Sequence, residues 1–277
     1  MGEWEVTGIP AEKNSHIDHS RMGFAYSYHS SAGSQSLKMQ GLRVPAIPPI
    51  ERHMADGTVT AESVILAGET LALLPQRAAW WESAKTLFVA DLHLGKEATF
   101  RAAGMPVPDQ TERLLCRLSW LVEHYNSSRL IVLGDLIHSR RGRCEKTFEL
   151  ITNWRRSNSD LSVELIRGNH DKASGDPPKE WQIVCRQEPF PCQPFVLCHY
   201  PEAVGESPGL AGHLHPAVRL TGRGRDLLKL PCFLLRREML VLPAFSEFVD
   251  GANLKLLDGD RVFGICDNAV HELTAPK

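Results

Sequence analysis

The sequence predicts an α/β fold in which two mixed β-sheets pack together and helices lie outside them. The first ordered half alternates strand, helix, strand, helix and strand, which is typical of parallel strands joined by right-handed crossovers. The second half carries many short apolar segments, which indicate a strand-rich second sheet. Five apolar segments also end in residues of the kinds that bind metal ions, which is typical of a site at a sheet edge.

The ordered part of the chain is predicted to begin near residue 64 with a hairpin. Apolar segments at residues 64–66 and 70–74 flank Ala67, Gly68 and Glu69, a spacing that favours two antiparallel strands. Residues 79–81 are predicted as a loop or an edge segment, where Trp80 and Trp81 could either pack or stack on nucleic-acid bases. Residues 86–90 are predicted as a short buried strand.

A helix is predicted to begin at Asp109, with Glu112 completing a capping box. An apolar stripe supports it, and Trp120 is expected to pack in the core; the stripe is Leu114, Leu118, Leu121, Val122 and Tyr125. A strand at residues 129–133, a helix at residues 144–156 and a strand at residues 161–166 complete the alternation. The later strands are predicted at 182–186, 194–197, 217–220, 231–235, 239–242 and 254–257, with a hairpin turn at 236–238.

Composition bounds the class of protein. The 277 residues are 43% hydrophobic and 23% charged with a net charge of −2, so any nucleic-acid surface must be local. Seven scattered cysteines without a CxxC pair indicate reduced thiols and a cytoplasmic protein. No apolar run is long enough to span a membrane, and no signal-peptide pattern is present.

Residues 1–58 differ from the rest of the chain. They are rich in serine and proline with poor hydrophobic periodicity, so we predict a disordered extension, a tag or an upstream start codon. A single domain is predicted to follow at residues 59–277. His16, His19 and His29 could form a metal patch, but solvated histidines in a tail are the simpler interpretation.

The chemistry is predicted at five segment ends. They carry Asp91 with His93, then Gly134-Asp135, then Gly168-Asn169-His170-Asp171, then Cys198-His199, and finally Gly212-His213-Leu214-His215. Aspartate, asparagine and histidine without cysteine suit Mn²⁺, Fe or Zn²⁺. The glycines before Asp135 and His213 allow close backbone approach. Two such ions about 3.5–4 Å apart could clamp both the attacking and the leaving oxygen of a phosphoryl transfer.

These motifs, in this order, resemble the calcineurin-like metallophosphoesterases over roughly residues 62–260. The resemblance implies a four-layer αββα sandwich and two divalent metal ions, most simply Mn²⁺. It implies one metal site of Asp91, His93, Asp135 and His215, and a second of Asp135, Asn169, His199 and His213. Asp135 would bridge the two ions, and a hydroxide between them would attack phosphorus.

The same resemblance implies that His170 is catalytic. It would protonate the leaving oxygen while Asp171 orients its imidazole. One departure is His138, which stands where many members carry a second aspartate; it could contact substrate or simply pack. Cys198 is expected to be a small buried residue rather than a ligand.

Finer motifs are similar to the bacterial ligase-associated DNA damage response endonucleases of the PdeM type. These are residues 91–97, 104–108, 136–139 and 242–245. The resemblance implies a phosphodiesterase that acts on DNA in repair, beside a DNA ligase and a helicase. Arg140, Arg141 and Arg143 follow the bridging aspartate and could bind DNA phosphates; Lys96, Arg101, Arg219, Arg223 and Arg225 could add to this surface. Arg155, Arg156, Arg236 and Arg237 are expected to be ordinary surface charges.

Two other functions stay open. A small-molecule or nucleotide phosphoesterase, resembling the hydrolase that cleaves UDP-diacylglucosamine, would have a similar first motif and a deep apolar pocket or lid over the metals. A catalytically silent scaffold of this fold, as in retromer-type relatives, would lack metal binding. The complete ligand set and His170 disfavour the scaffold.

Overall fold

The computed structural model describes residues 5–6, 60–204, 206–221, 227–253 and 255–273. Strand β1 (Glu5–Val6) pairs with residues 220–221 of the second sheet. The rest of the predicted extension at residues 1–58, including His16, His19 and His29, lies outside the described residues, as do Arg223 and Arg225.

The first sheet has seven strands that follow one another in chain order. They are β2 (Glu62–Leu66), β3 (Glu69–Leu74), β4 (Ala78–Trp81), β5 (Thr86–Val89), β6 (Arg129–Val132), β7 (Ser162–Ile166) and β8 (Ile183–Arg186). Strands β2 to β5 are antiparallel, whereas β5 to β8 are parallel. The carboxyl ends of β5, β6 and β7 therefore meet at one edge of the sheet.

Four α-helices lie among the described residues between 60 and 186. They are α1 (Lys96–Ala102), α2 (Thr111–His124), α3 (Glu145–Ser157) and α4 (Asn169–Ser174). Leu118 and Leu121 of α2 and Ile151 of α3 are buried in one cluster with Leu87 and Val132 of the sheet. The apolar stripe of α2 and the buried side of α3 therefore cover the outer face of the first sheet.

The second sheet is also mixed, with the order β1-β12-β13-β14-β11-β10-β9, while β15 pairs with β12 and the hairpin β16–β17 pairs with β13. Its later strands are β9 (Phe190–Cys192), β10 (Phe195–Leu197), β11 (Gly209–Ala211), β12 (Pro216–Thr221), β13 (Leu227–Arg236), β14 (Met239–Val241), β15 (Ala252–Asn253), β16 (Arg261–Cys266) and β17 (Ala269–Leu273). The predicted α/β class with two mixed sheets and helices is confirmed.

The main core lies between the two sheets. Phe88 and Ile131 of the first sheet and Phe195, Leu210 and Phe233 of the second are fully buried in one cluster. Burying a side chain of this size contributes roughly 1.5–3 kcal/mol. This packing fixes the two sheets against each other, and with them the strand ends that carry the polar motifs.

Several local predictions were wrong. Residues 78–81 form an inner strand, and Trp80 and Trp81 are buried, so neither can stack on nucleic acid. Trp81 donates a hydrogen bond to Glu69 over 2.8 Å. Residues 255–257 are not in a strand, and strand β15 lies just before them.

The predicted cap of α2 was also wrong. The helix begins at Thr111 after Gln110, without a side-chain cap. The Asp109 carboxylate instead accepts hydrogen bonds from Arg101 over 2.7 Å and from Lys146 over 2.8 Å. The Asp109 carboxylate therefore binds these two cations and does not cap the helix.

The predicted hairpin at residues 236–238 is confirmed by the pairing of Arg236 with Met239. Arg236 and Arg237 form ion pairs with Asp260 and Glu206. Arg155, expected at the surface, is buried and donates to three backbone carbonyls. Within the described ranges, no helix has the length and apolar character needed to cross a membrane.

Candidate metal centre and active site

Three neighbouring parallel strands deliver the first polar residues. Asp91 follows β5, Asp135 follows β6 and Asn169 follows β7, so all three stand at the same edge. The loops are joined by backbone hydrogen bonds: Asp91 donates to Gly134 over 3.1 Å and His93 donates to Asp135 over 2.9 Å. These hydrogen bonds join the loop that follows β5 to the loop that follows β6.

The second sheet supplies the remaining histidines. His199 follows β10, His213 follows β11, and His215 precedes β12. The backbone N–H of His213 donates to Asp91 Oδ2 over 2.9 Å. Asp91 thus links the two sheets at the point where their polar ends meet.

The side chains converge on the two aspartates. Asp91 Oδ1 lies 3.3 Å from His215 Nε2 and 3.9 Å from His199 Nδ1. Asp135 Oδ1 lies 3.6 Å from His199 Nε2, and Asp135 Oδ2 lies 3.8 Å from His93 Nε2. Asp91 with His93 and His215 forms one candidate metal group, and Asp91 with Asp135 and His199 forms another.

Asn169 and His213 extend the second group. Asn169 Oδ1 lies 3.0 Å from His199 Nε2, which in turn lies 3.1 Å from His213 Nδ1. His199 Nδ1 lies 3.0 Å from the carbonyl oxygen of Leu133. A proton on Nδ1 satisfies that carbonyl and leaves Nε2 free to bind a metal. The structure therefore gathers all seven predicted ligands.

The backbone is strained where the ligands are attached. Asp91, His93, Asp135, His213 and His215 all have φ between 45° and 69°. Left-handed backbone is uncommon for residues other than glycine and costs on the order of 1–3 kcal/mol each, so it clusters at functional sites.

Two glycines make the close approach possible, as predicted. A Cβ at Gly134 would lie 2.0 Å from His199 Nδ1, and one at Gly212 would lie 2.8 Å from Asp91 Oδ2. A side chain at either position would collide with a ligand.

The atoms of this cluster fit a divalent cation. Among the described residues, Asp91 Oδ1 and His215 Nε2 are buried without a hydrogen-bond partner. Such atoms are costly unless something compensates for the lost water. A cation bound by both would compensate, and carboxylate with imidazole suits Mn²⁺, Fe or Zn²⁺.

The electrostatics of the metal-free cluster favour uncharged side chains. Burial, followed by repulsion from Asp91, raises the pKa of Asp135 to about 8. Burial, followed by the nearby His170, His215 and His138 rings, lowers the pKa of His93 far below its usual range. A bound cation would reverse the balance at Asp135 by favouring the carboxylate.

His170 belongs to a third candidate group, with His93 and His138, and to neither of the two groups that contain an aspartate. Its Nε2 lies 3.9 Å from Asp135 Oδ2, and its backbone N–H donates to Asp135 Oδ1 over 2.9 Å. Its Nδ1 makes a short hydrogen bond with the carbonyl oxygen of His138. That bond turns Nε2 toward the place where a substrate would meet the metals.

The predicted role of Asp171 in orienting the His170 ring was wrong. The Asp171 carboxylate is buried and accepts from the backbone N–H groups of Asp135 over 2.7 Å, Gly168 over 2.9 Å and Leu136 over 3.0 Å. Three backbone amides hold this carboxylate, so it fixes the loop that carries Asp135. The His138 carbonyl takes the place predicted for Asp171.

The side chain of His138 contacts His93, one of the predicted metal ligands. Its Nδ1 lies 3.3 Å from His93 Nδ1, and burial, followed by Lys96 and His170, lowers the pKa of His138 to about 4. If His93 binds metal through Nε2, its Nδ1–H can donate to the neutral His138 ring. His138 then keeps an Nε2–H toward the open side of the cluster.

The three predicted arginines differ in their contacts. Arg140 Nε donates to the carbonyl of Ala173 over 3.1 Å, and Arg143 Nη1 donates to that of Gly175 over 2.8 Å. Arg141 is exposed and makes no hydrogen bond or ion pair within the described ranges. Arg140 and Arg143 therefore fasten their loop to the end of α4, whereas Arg141 is available to a ligand.

Lys96, the first residue of α1, is half-buried next to the cluster. Burial lowers its pKa, and Asp250 opposes this. The other cation near the first motif, Arg101, is occupied by Asp109 and the carbonyl of Val107.

Sequence reasoning missed Glu188 and Tyr200. The Glu188 carboxylate accepts from the backbone N–H of His199 over 2.7 Å and of Tyr200 over 2.9 Å. The Tyr200 ring centre lies 4.2 Å from that of His213. Neither residue belongs to a motif, and only the fold brings Glu188 to His199. Cys198 is buried and belongs to none of the candidate metal groups found in the described residues.

Paired sheets that gather carboxylates and imidazoles at one edge define a metal-dependent hydrolase. The profile of the calcineurin-like phosphoesterases matches residues 84–224. The chain is 36% identical to the nuclease MPE of Pseudomonas putida, with a TM-score of 0.67, and the match covers 77% of this chain and 100% of that one. This chain belongs to the calcineurin-like phosphoesterases, and it is a hydrolase of phosphoester bonds.

A second solved structure, the phosphoesterase Yfce from E. coli, is 17% identical with a TM-score of 0.36, covering 68% of this chain and 97% of that one. A comparison with the curated proteins found no match.

Proposed function

We propose that this phosphoesterase is a metal-dependent phosphodiesterase that cleaves DNA as an endonuclease in repair. The observation that carries the proposal is the similarity, over the whole length of the neighbour, to a protein described as a nuclease. The convergence of Asp91, Asp135 and the histidines at one sheet edge supports the chemistry.

The proposed centre holds two divalent ions, most simply Mn²⁺. Asp91, His93 and His215 would hold one, Asn169, His199 and His213 would hold the other, and Asp135 would contribute to both. When bound, such a pair supplies an activated water and neutralises charge on the reacting phosphate. The protein contributes the hydrogen-bonded loops that follow β5 and β6. It also contributes the Glu188 carboxylate, which accepts from the backbone N–H of His199, and the His138 ring, which contacts the His93 ring.

His170 is the proposed general acid. Its ring is held at Nδ1 by the His138 carbonyl, and Nε2 faces the cluster. From that position Nε2 can pass a proton to the oxygen that leaves phosphorus. His170 binds no metal in this proposal, so its removal should spare the metals.

Arg141 is the proposed phosphate contact outside the centre, and Lys96 is a second. Arg141 has no competing partner in the described part of the chain, and a guanidinium matches the geometry of phosphate. Arg140 and Arg143 stay predictions as DNA contacts, since each already donates to the main chain. Placement in the cytoplasm stays a prediction from the cysteine pattern, and association with a DNA ligase and a helicase stays a prediction from the resemblance.

The small-molecule alternative gains little from the cavity that adjoins His215. Its volume is about 150 Å³, and charged Arg77, Lys229, Glu247 and Asp250 stand among its walls. Acyl chains need a larger and more apolar space.

The test is hydrolysis by the purified full chain with Mn²⁺, comparing bis-p-nitrophenyl phosphate, p-nitrophenyl phosphate and supercoiled plasmid. We expect cleavage of the diester and nicking of the plasmid, both abolished in Asp135→Ala. Diester hydrolysis without plasmid nicking would contradict the DNA substrate, and activity on the monoester alone would contradict the phosphodiesterase.

A further inference from the structure

A cavity opens beside the metal centre at His215. It has a volume of about 150 Å³ and lies between the start of β12, the middle of β13 and the segment from Ala244 to Gly251. His215 is one of its lining residues, and His215 Nε2 lies 3.3 Å from Asp91 Oδ1. A group in this cavity would therefore lie next to the metal centre.

The size of the cavity suits one planar ring. A cavity of about 150 Å³ is the size at which an engineered protein core binds benzene. The apolar part of the wall is formed by compact side chains that leave flat surfaces, namely Pro216, Ala217, Pro231, Ala244 and Val249. The wall is also closely packed, because a Cβ at Gly251 would lie 2.5 Å from Ala217 Cβ.

The charged side chains around the cavity already have partners in the protein. Lys229 Nζ is 2.5 Å from Asp250 Oδ1, and Arg77 Nη1 donates to the carbonyls of Ala244 and Ser246. Glu247 forms ion pairs with Arg117 over 2.9 Å and with Arg113 over 3.6 Å. A neutral ring with polar edges would meet donors and acceptors here without displacing any of these contacts.

This arrangement contrasts with the loop at residues 140–143, where Arg141 is exposed and unpaired in the described structure. A nucleic-acid chain offers both kinds of group, because its charged phosphates alternate with nucleosides that carry neutral bases. The charged loop suits the phosphates, and the cavity, whose charged side chains already have partners, suits a base.

We infer that the cavity beside His215 binds the nucleobase of a nucleotide adjoining the scissile phosphate. The inference rests on the proposed function, since it requires a nucleic-acid substrate. It assigns Pro216, Ala217 and Val249 as contacts of the base, and it makes the enzyme recognise a nucleoside on one side of the cleaved bond.

The test uses small diesters that differ only in the group beside the phosphate. Thymidine 5′-(p-nitrophenyl phosphate) and thymidine 3′-(p-nitrophenyl phosphate) are compared with bis-p-nitrophenyl phosphate, as kcat/KM with Mn²⁺. Removal of the base from water against Pro216, Ala217 and Val249 predicts a preference of about tenfold or more for one thymidine ester. Val249→Trp fills the cavity and should reduce that preference to near one.

Val184→Trp is the matched control, because Val184 is an exposed valine on β8 of the first sheet. It should keep the wild-type preference. Free thymidine provides a measurement that needs no variant: it should inhibit the wild-type enzyme competitively, and deoxyribose should not.

The outcomes separate the two proposals. Plasmid nicking by a wild-type enzyme that shows neither a thymidine preference nor inhibition by thymidine would overturn the cavity assignment alone. A preference that survives unchanged in Val249→Trp would overturn it too. Hydrolysis of p-nitrophenyl phosphate only, without any diester or plasmid cleavage, would overturn the proposed function and this inference with it.

Discussion

The two ends of the same parallel strands are built on opposite principles. At the amino end of β7 and β8, Arg155 is buried, yet it donates to the carbonyls of Trp181, Asn158 and Leu161 over 2.8–3.1 Å. At the carboxyl end of the parallel strands, Asp91 Oδ1 is buried without a hydrogen-bond partner among the described residues.

The difference shows how stability and function divide a sheet. A buried polar group that is fully hydrogen-bonded holds the fold together. A group that is left unpaired, on left-handed backbone, costs stability and is kept where a ligand completes it. Changes at the carboxyl end should therefore alter activity, and changes at the amino end should alter stability.

The largest effect is expected for Asp135→Ala. It removes the only carboxylate placed in both proposed metal sites, and the loss of several kcal/mol of transition-state stabilisation lowers kcat by about a thousandfold or more. Steady-state hydrolysis of bis-p-nitrophenyl phosphate with Mn²⁺ measures it. A variant that keeps a tenth of wild-type activity would show that Asp135 is not at the centre.

His170→Ala should reduce kcat by about a hundred- to a thousandfold, while both metals stay bound. The reason is that Nε2 lies 3.9 Å from Asp135 Oδ2, and His170 is grouped with His93 and His138 and not with either aspartate. Metal analysis of the dialysed variant, alongside turnover, separates the two roles. Loss of metal in step with activity would make His170 a ligand.

Mn²⁺ affinity should rise by up to about tenfold per pH unit and level off near pH 8. In the metal-free protein, burial and Asp91 raise the pKa of Asp135 to about 8, so below that pH the ion must displace a proton. Calorimetric titrations between pH 6 and 9 test this, and the Asp135→Asn variant should lose the slope. An affinity independent of pH in the wild type would mean that Asp135 is already ionised.

Arg141→Met should raise KM for DNA by about fivefold and reduce the salt dependence of binding by about one phosphate contact. Hydrolysis of bis-p-nitrophenyl phosphate should hardly change. Arg156→Met, on α3 beside the structural Arg155, serves as a control that also removes one exposed positive charge. Equal effects of the two substitutions on DNA binding would mean that Arg141 contributes only general surface charge and no specific phosphate contact.

The smallest effect on activity is expected for Arg155→Met, at the opposite end of the strands. It leaves three carbonyls without their donors and should lower the free energy of unfolding by about 2–4 kcal/mol. The kcat should stay at the wild-type value below the melting temperature. Urea unfolding and turnover on the same preparation decide this, and a large loss of kcat in the folded variant would break the contrast between the two ends.

The sequence predicted the ligand-bearing edge because parallel strands force their carboxyl ends together. Asp91, Asp135 and Asn169 follow three adjacent strands, so their meeting required no knowledge of side chains. The glycines at 134 and 212 were equally readable, since a Cβ at either would meet a ligand.

What the sequence could not give depends on partners far apart in the chain. Asp171 follows His170, the proposed general acid, yet its carboxylate accepts from backbone amides of Asp135 and Leu136. Asp109 was predicted to cap a helix, but its carboxylate forms ion pairs with Arg101 and Lys146. Trp80 and Trp81 looked peripheral because nothing local shows that β4 has neighbours on both sides.

The most direct test of the central claim is anomalous diffraction from crystals of the full chain grown with Mn²⁺. We predict two peaks per chain, one among Asp91, His93 and His215 and one among Asn169, His199 and His213, with Asp135 between them. A single peak, or peaks away from the carboxyl ends of β5, β6 and β7, would contradict the two-metal centre on which the proposed chemistry depends.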